Sequence, residues 1–81
     1  MRIFVSNLHF VKVDEQELRN LFAPYGELFD CRIIMTDGKS RGYGFVQFND
    51  DKAGMRAMQE LQGLVVHGRQ LKIAVAHENK R

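Results

Sequence analysis

The stretch Arg41-Gly42-Tyr43-Gly44-Phe45-Val46-Gln47-Phe48 constrains the fold more than any other part of this chain. It alternates with a period of two, as a strand does when its side chains point to opposite faces. Arg41, Tyr43, Phe45 and Gln47 then share one face, and Gly42, Gly44, Val46 and Phe48 share the other. The second face, small and apolar, suits packing against a helix. The first is unusual for a core strand, since it carries a cation, two aromatic rings and an amide. Exposed rings flanked by hydrogen-bonding groups are what unpaired bases stack on. Taken alone, the strand also fits a blander reading, an amphipathic strand whose rings a loop covers.

The rest of the chain supplies partners for that strand. Residues 2–8 read as another, with Ile3 and Val5 turned to the core and Phe4 and Ser6 to the opposite face. The reverse assignment would expose two β-branched residues. His9 to Val13 form a loop. Asp14 to Glu17 has the form of a capping box, in which the Asp14 carboxylate accepts from the Glu17 N–H and the Glu17 side chain reaches back. Leu18, Leu21 and Phe22 make an apolar helical stripe. The helix should stop before Pro24, which disfavours helical geometry in the residue preceding it; Gly26 supplies a turn. Residues 28–35 read as a second strand whose poor alternation implies a bulge. Thr36 to Ser40 form a polar turn centred on Gly38.

After the central strand, Asn49 or Asp50 caps a second helix running to Leu61. Ala53, Ala57, Met58 and Leu61 form its close-packing face. Gly54 in its interior costs roughly 1 kcal/mol relative to Ala, which makes this the weaker helix; Gly63 terminates it. Leu64 to Gly68 read as a small hairpin. It leads into a last strand with Leu71, Ile73 and Val75 inward and Lys72 and Ala74 outward. The order strand–helix–strand–strand–helix–strand implies an α+β fold, a four-stranded antiparallel sheet with both helices on one face. Phe4, Tyr43 and Phe45 converge on the face left open.

Composition narrows the function classes. The 81 residues allow one domain with a modest core, read as 1–76 with a short basic tail at 77–81. Twelve basic against ten acidic residues leave a net charge of +2, too small by itself to argue for a polyanion. The distribution says more. Asp14, Glu15 and Glu17 open one helix and Asp50 and Asp51 the other, where helix dipoles favour negative charge. Lys39, Arg41, Arg69, Lys72, Lys80 and Arg81 fall on strands, loops or the tail. A single cysteine rules out an internal disulfide framework and suits a reducing compartment. No apolar run reaches membrane-spanning length, so no membrane association is expected. The expected location is cytoplasmic, or nuclear or organellar in a eukaryote. A chain that starts at Met1 directly before its first strand fits either a complete small protein or a domain trimmed from a longer one.

Catalysis is not expected. The carboxylates sit at helix starts rather than in converging pairs. His9, His67 and His77 have no metal-ligand spacing and no second cysteine beside them. The glycines of the central strand are followed by more strand, not by the helix a phosphate loop needs. Neither cofactor nor metal is implied.

The octapeptide resembles the longer signature of the RNA recognition motif family: Lys or Arg, Gly, Phe or Tyr, Gly or Ala, Phe, Val, any residue, then Phe or Tyr. It fits at every constrained position. Ile3-Phe4-Val5-Ser6-Asn7-Leu8 resembles the shorter companion signature, and the two stand in the family's order. The resemblance covers essentially the whole chain. It implies a ferredoxin-like βαββαβ sandwich, with the first and third strands side by side at the sheet centre, and single-stranded RNA binding. It also implies that Leu28, Cys31 and Ile33 turn inward, leaving Arg32 and Ile34 nearer the open face, and that Arg41 meets a phosphate between stacked nucleotides. Ser6 stands where glycine is frequent in the family, Gln62 where asparagine is common, and the His9–Val13 loop is one residue longer than usual.

On this reading Phe4 and Tyr43 each stack a base, and Phe45 packs on sugars or extends the platform. Arg32, Gln47, Lys39, Lys72 and the tail residues His77, Asn79 and Lys80 supply charge or hydrogen bonds. Stacking of roughly 1–3 kcal/mol per base gives micromolar binding of about two to four nucleotides, with a salt-dependent phosphate contribution. The partner is single-stranded RNA and the protein a monomer; single-stranded DNA remains open. The competing class is a protein-binding module, using the sheet or a helix surface around Met55, Arg56 and Met58.

Overall fold

The computed structural model describes residues 1–76. Strand β1 (Arg2–Ser6) is followed by helix α1 (Glu15–Phe22), strands β2 (Leu28–Thr36) and β3 (Lys39–Phe48), and helix α2 (Asp51–Leu61). A two-stranded ribbon, β4 (Val65–Val66) and β5 (Arg69–Gln70), precedes the last strand, β6 (Lys72–Val75). The main sheet is antiparallel, in the order β2-β3-β1-β6. The octapeptide strand and β1 therefore lie side by side at its centre.

Burial alternates as the sequence pattern requires. Ile3, Val5, Val46 and Phe48 are fully buried, and they meet Leu18 and Phe22 of α1 and Ala57 and Leu61 of α2 in one core. Cys31 and Ile33 join it from β2, and Leu28 packs against it. The small Ala53 and Ala57 let α2 approach the sheet closely. Gly54 is also buried, because the Met1 side chain lies where a Cβ would stand. Its place in the helix thus has a packing reason that propensity does not reveal.

The helix boundaries follow local chemistry. Asp14 Oδ1 accepts from the Glu17 N–H at 2.9 Å. The return half of the capping box is not made. The Glu17 carboxylate instead meets His67 Nε2 at 2.8 and 3.0 Å, because the β4–β5 turn brings that ring over α1. Asp50 caps α2 by accepting from the Lys52 N–H at 3.1 Å. α1 ends at Phe22, and Pro24 falls in a single 3₁₀ turn.

Two turns are tighter than the sequence suggests. Asp37 and Gly38 both have positive φ, as do His67 and Gly68, which is the backbone of a two-residue hairpin turn matched to strand twist. The polar stretch after β2 is therefore two residues of turn with paired strand on either side. Val75 corrects an expectation of burial: it is 40% exposed. It is the last residue of an edge strand, at the rim of the sheet, where it lines a shallow groove with Met1 and Met55.

Candidate nucleic-acid interface

Phe4 and Phe45 are direct cross-strand partners, and Tyr43 faces Ser6 two pairs further along, on the same face. The Phe4 ring centroid lies 5.4 Å from Phe45 and 5.5 Å from Tyr43, with the planes tilted by 55° and 47°. Tilted pairs at such distances are favourable contacts between ring edges and faces. All three rings are half-buried. Because the sheet centre lies beneath them and the helices lie on its other side, their exposed faces form a fixed, apolar surface.

Polar and cationic groups border it. Gln47 is half-buried on the same face, opposite Arg2 on β1 and Asp30 on β2. Lys72 is exposed and faces Ser6, while Ala74 faces Phe4 and leaves room over that ring. Arg32 lies opposite Phe45 on β2, with its guanidinium held by Asp30 at 3.2 Å. An exposed pair of this kind is worth only about 0.2–1 kcal/mol, but it places a negative charge beside the cation.

Arg41 is exposed, and its relation to the rings is looser than strict alternation would give. Pairing between β2 and β3 passes from Ile33↔Gly44 to Met35↔Ser40, so β3 carries extra residues there. Gly42 absorbs the bulge at φ +82°. Alternation of half-buried and buried residues holds from Tyr43 onward. Lys39 is not brought beside the rings. It lines a groove of about 690 Å³ with Val13, Ile33, Phe10 and Met35, at the helix-side end of the β2–β3 hairpin. His77, Asn79 and Lys80 lie outside the described residues.

Sequence reasoning missed Arg2. Its guanidinium carbon stands 4.4 Å from the Phe45 ring centroid. The signal was present, since the same alternation that turns Phe4 outward turns Arg2 outward too. It also left Asn7 without a role. Asn7 adopts φ +63°; its Nδ2 donates to the Gln70 carbonyl at 2.7 Å, and Arg69 donates to its Oδ1 at 2.6 and 3.2 Å. Asn7 is thus a tie between the end of β1 and the β4–β5 ribbon.

Other candidate chemistries fare less well. Cys31 is buried, its thiol directed at the Glu15 carbonyl 3.8 Å away. Burial pushes that thiol up to about 11, so it stays protonated and unreactive near neutrality. Among the described residues, no group of three or more His, Cys, Asp or Glu is placed to hold a metal ion. On α2, Met58 packs against the core and Arg56 pairs with Glu60, leaving Met55 as the exposed apolar residue of that surface.

Comparison with known proteins identifies the family and the fold. Residues 3–72 match the family model described as the RNA recognition motif. The chain is 38% identical, over 79 residues and 95% of its length, to the mitochondrial glycine-rich RNA-binding protein 3 of Arabidopsis thaliana, and spans only 25% of that relative. Among solved structures, the RNA-binding protein PG1 superposes with a TM-score of 0.92 at 36% identity, covering 100% of this chain and 99% of that one. The SXL-lethal protein superposes with a TM-score of 0.91 at 31% identity, over 98% of this chain and 48% of its own.

Proposed function

The chain belongs to the RNA recognition motif family, and we propose that it binds single-stranded RNA across the open face of its sheet. The observation that carries this reading is the cluster of Phe4, Tyr43 and Phe45, three half-exposed rings fixed on the two central strands. The SXL-lethal protein, similar over nearly the whole of this chain, was solved as a complex with RNA. Phe4 and Tyr43 stack bases, and Phe45 packs beneath the sugar–phosphate chain. Arg41 and Lys72 contact phosphates, and Gln47 reads a base edge. Arg32 contributes less while Asp30 holds it.

Binding is assigned to residues 1–76 as a monomeric domain, with 77–81 as a short basic tail. No catalytic step enters: Asp14 and Asp50 are engaged in capping helices. Among the described residues no helix is long and apolar enough to cross a membrane. With one buried cysteine, a reducing compartment is the proposed setting: the cytoplasm or, in a eukaryote, the nucleus or an organelle. What a longer parent protein would do with this domain is a separate matter, since the chain spans a quarter of the relative described above.

The test is fluorescence anisotropy with a labelled pool of random single-stranded RNA, comparing wild type with Phe4→Ala/Tyr43→Ala. Each lost ring should weaken binding by about 1–3 kcal/mol, while circular dichroism stays native because neither ring belongs to the core. Equal binding by both proteins would move the site off the sheet. Absence of binding by either would favour a protein partner, for which the apolar groove beside Phe10 and Met35 is the observation to pursue. A matched DNA pool decides whether the 2′-hydroxyl matters.

A further inference from the structure

The ring face leaves one large concavity unused, on the helix side of the molecule. Its floor is made by Val13 and Ile33, both buried in the core. Its rim carries Phe10, Val11 and Met35, which are 60%, 73% and 54% exposed. Single apolar side chains scattered over a surface are ordinary. Three that converge on one groove of about 690 Å³ mark a place where something docks. We propose that this groove takes a short peptide segment of a partner protein, with apolar side chains seated between Phe10 and Met35 and a lysine or arginine at Glu15. The inference goes beyond RNA binding and does not depend on it.

Both walls are formed in advance. His9 Nδ1 accepts from the Val11 and Lys12 N–H groups at 3.3 and 3.2 Å, and the Val13 N–H donates to the His9 carbonyl at 3.1 Å. The His9 and Phe10 rings stack on one another, 6.0 Å apart with their planes 24° from parallel. Across the groove, the tight turn at Asp37 and Gly38 keeps Met35 paired with Ser40 and Thr36 with Lys39. A ligand therefore has little backbone to order when it binds.

The charges at the rim choose the occupant. Asp14 and Glu15 stand at the α1 edge and Lys39 at the hairpin edge. Asp14 Oδ1 caps α1, and among the described residues neither it nor Glu15 nor Lys39 forms an ion pair. Two carboxylates against one ammonium make the groove net acidic, which repels a phosphate chain and attracts a cation. An apolar floor beside that acidic edge matches a peptide that carries both apolar and basic side chains. The volume lies within the range of about 300–1,000 Å³ typical of sites that enclose a compact ligand, which suits a few side chains rather than a whole domain. Phe4 and Tyr43 are on the opposite face of the sheet, so peptide and RNA can be held together.

The experiment titrates the isotope-labelled 81-residue chain with three pools of acetylated nonapeptides. Each pool has a central triad drawn from Leu, Ile, Met and Phe, flanked by lysines, glutamates or serines. The lysine pool should shift the amide signals of Val11, Met35 and Lys39, binding several-fold more tightly than the serine pool. Glu15→Gln should remove that advantage and leave the serine pool unchanged. Met35→Glu, a change at an exposed position, should abolish binding of all three pools while random single-stranded RNA binds as to wild type. No shift with any pool would overturn the proposal, as would tightest binding by the glutamate pool or shifts confined to Phe4 and Tyr43. Groove signals that move with RNA, together with weaker RNA binding by Met35→Glu, would make the groove a nucleotide site instead. Groove signals that move with protein concentration alone would assign it to a second copy of this chain. If wild type binds the lysine pool but no RNA, the RNA-binding reading falls and the peptide groove stands.

Discussion

Leu8 donates its backbone N–H to the Gly42 carbonyl at 2.9 Å, tying the end of β1 to the bulge in β3. Gly42 sits at φ +82°, and a Cβ there would stand 3.3 Å from the Leu8 carbonyl oxygen. The glycine at position 42 is thus needed for the backbone angle that lets β3 carry its extra residues between Ser40 and Gly44. Gly42→Ala should cost about 1–3 kcal/mol, the usual range for a side chain forced into a sparsely populated backbone region. Urea unfolding measures it, and an unchanged midpoint would mean that the strand relaxes to an ordinary angle. RNA affinity should fall with it, since Arg41 and Tyr43 flank the bulge.

Asp30 is the one acid paired with a cation of the open face among the described residues. Replacing it tests whether Arg32 is restrained. Asp30→Asn removes the negative charge and keeps the shape. It should leave stability within about 1 kcal/mol, as for other exposed pairs, and should tighten RNA binding with a steeper salt dependence. An identical salt slope would show that Arg32 does not reach the phosphate chain even when freed.

Gln62 grips the edge strand from the end of α2. Its Nε2 donates to the Ile73 carbonyl at 2.7 Å and its Oε1 accepts from the Ile73 N–H at 2.9 Å. The side chain thus completes, for one residue, the hydrogen bonding that a further strand would supply. Gln62→Ala should cost about 1–2 kcal/mol, two partly buried hydrogen bonds at the usual net worth. Amide hydrogen exchange at Ile73 should accelerate. Exchange at the wild-type rate would assign the protection to burial of Ile73 alone.

Cys31 provides a pH test of the core. Burial raises its thiol from an ordinary 9.0 to about 11. The folded protein therefore keeps a proton that the unfolded chain releases first. Its contribution to stability is complete below about pH 9 and is lost as pH rises toward about 11. Cys31→Ala should remove that component of the alkaline fall. Iodoacetamide should label the native wild type far more slowly than the urea-unfolded chain at neutral pH. Equal labelling rates would mean that the thiol is open to solvent.

Much of this molecule was legible locally. The alternation in β1 and β3 placed Phe4, Tyr43 and Phe45 on one face, and they meet there. Asp14 and Asp50 cap the helices that their positions announced. These features depend on a residue and its near neighbours along the backbone, and chain order carries that information. The features that escaped join residues far apart in sequence. Glu17 turns from its own helix start to His67, fifty positions away, because the β4–β5 turn is folded over α1. Val75 is exposed because the sheet ends there, which no pattern inside the strand records. Arg2 faces outward by simple alternation, but its position over Phe45 depends on the register between β1 and β3. The sequence by itself determined which face of the two central strands turns inward, because hydrophobic burial follows the period of the backbone. Only the tertiary structure decided which partner each long polar or charged side chain takes, because that choice rests on strand register and on the packing of elements distant along the chain.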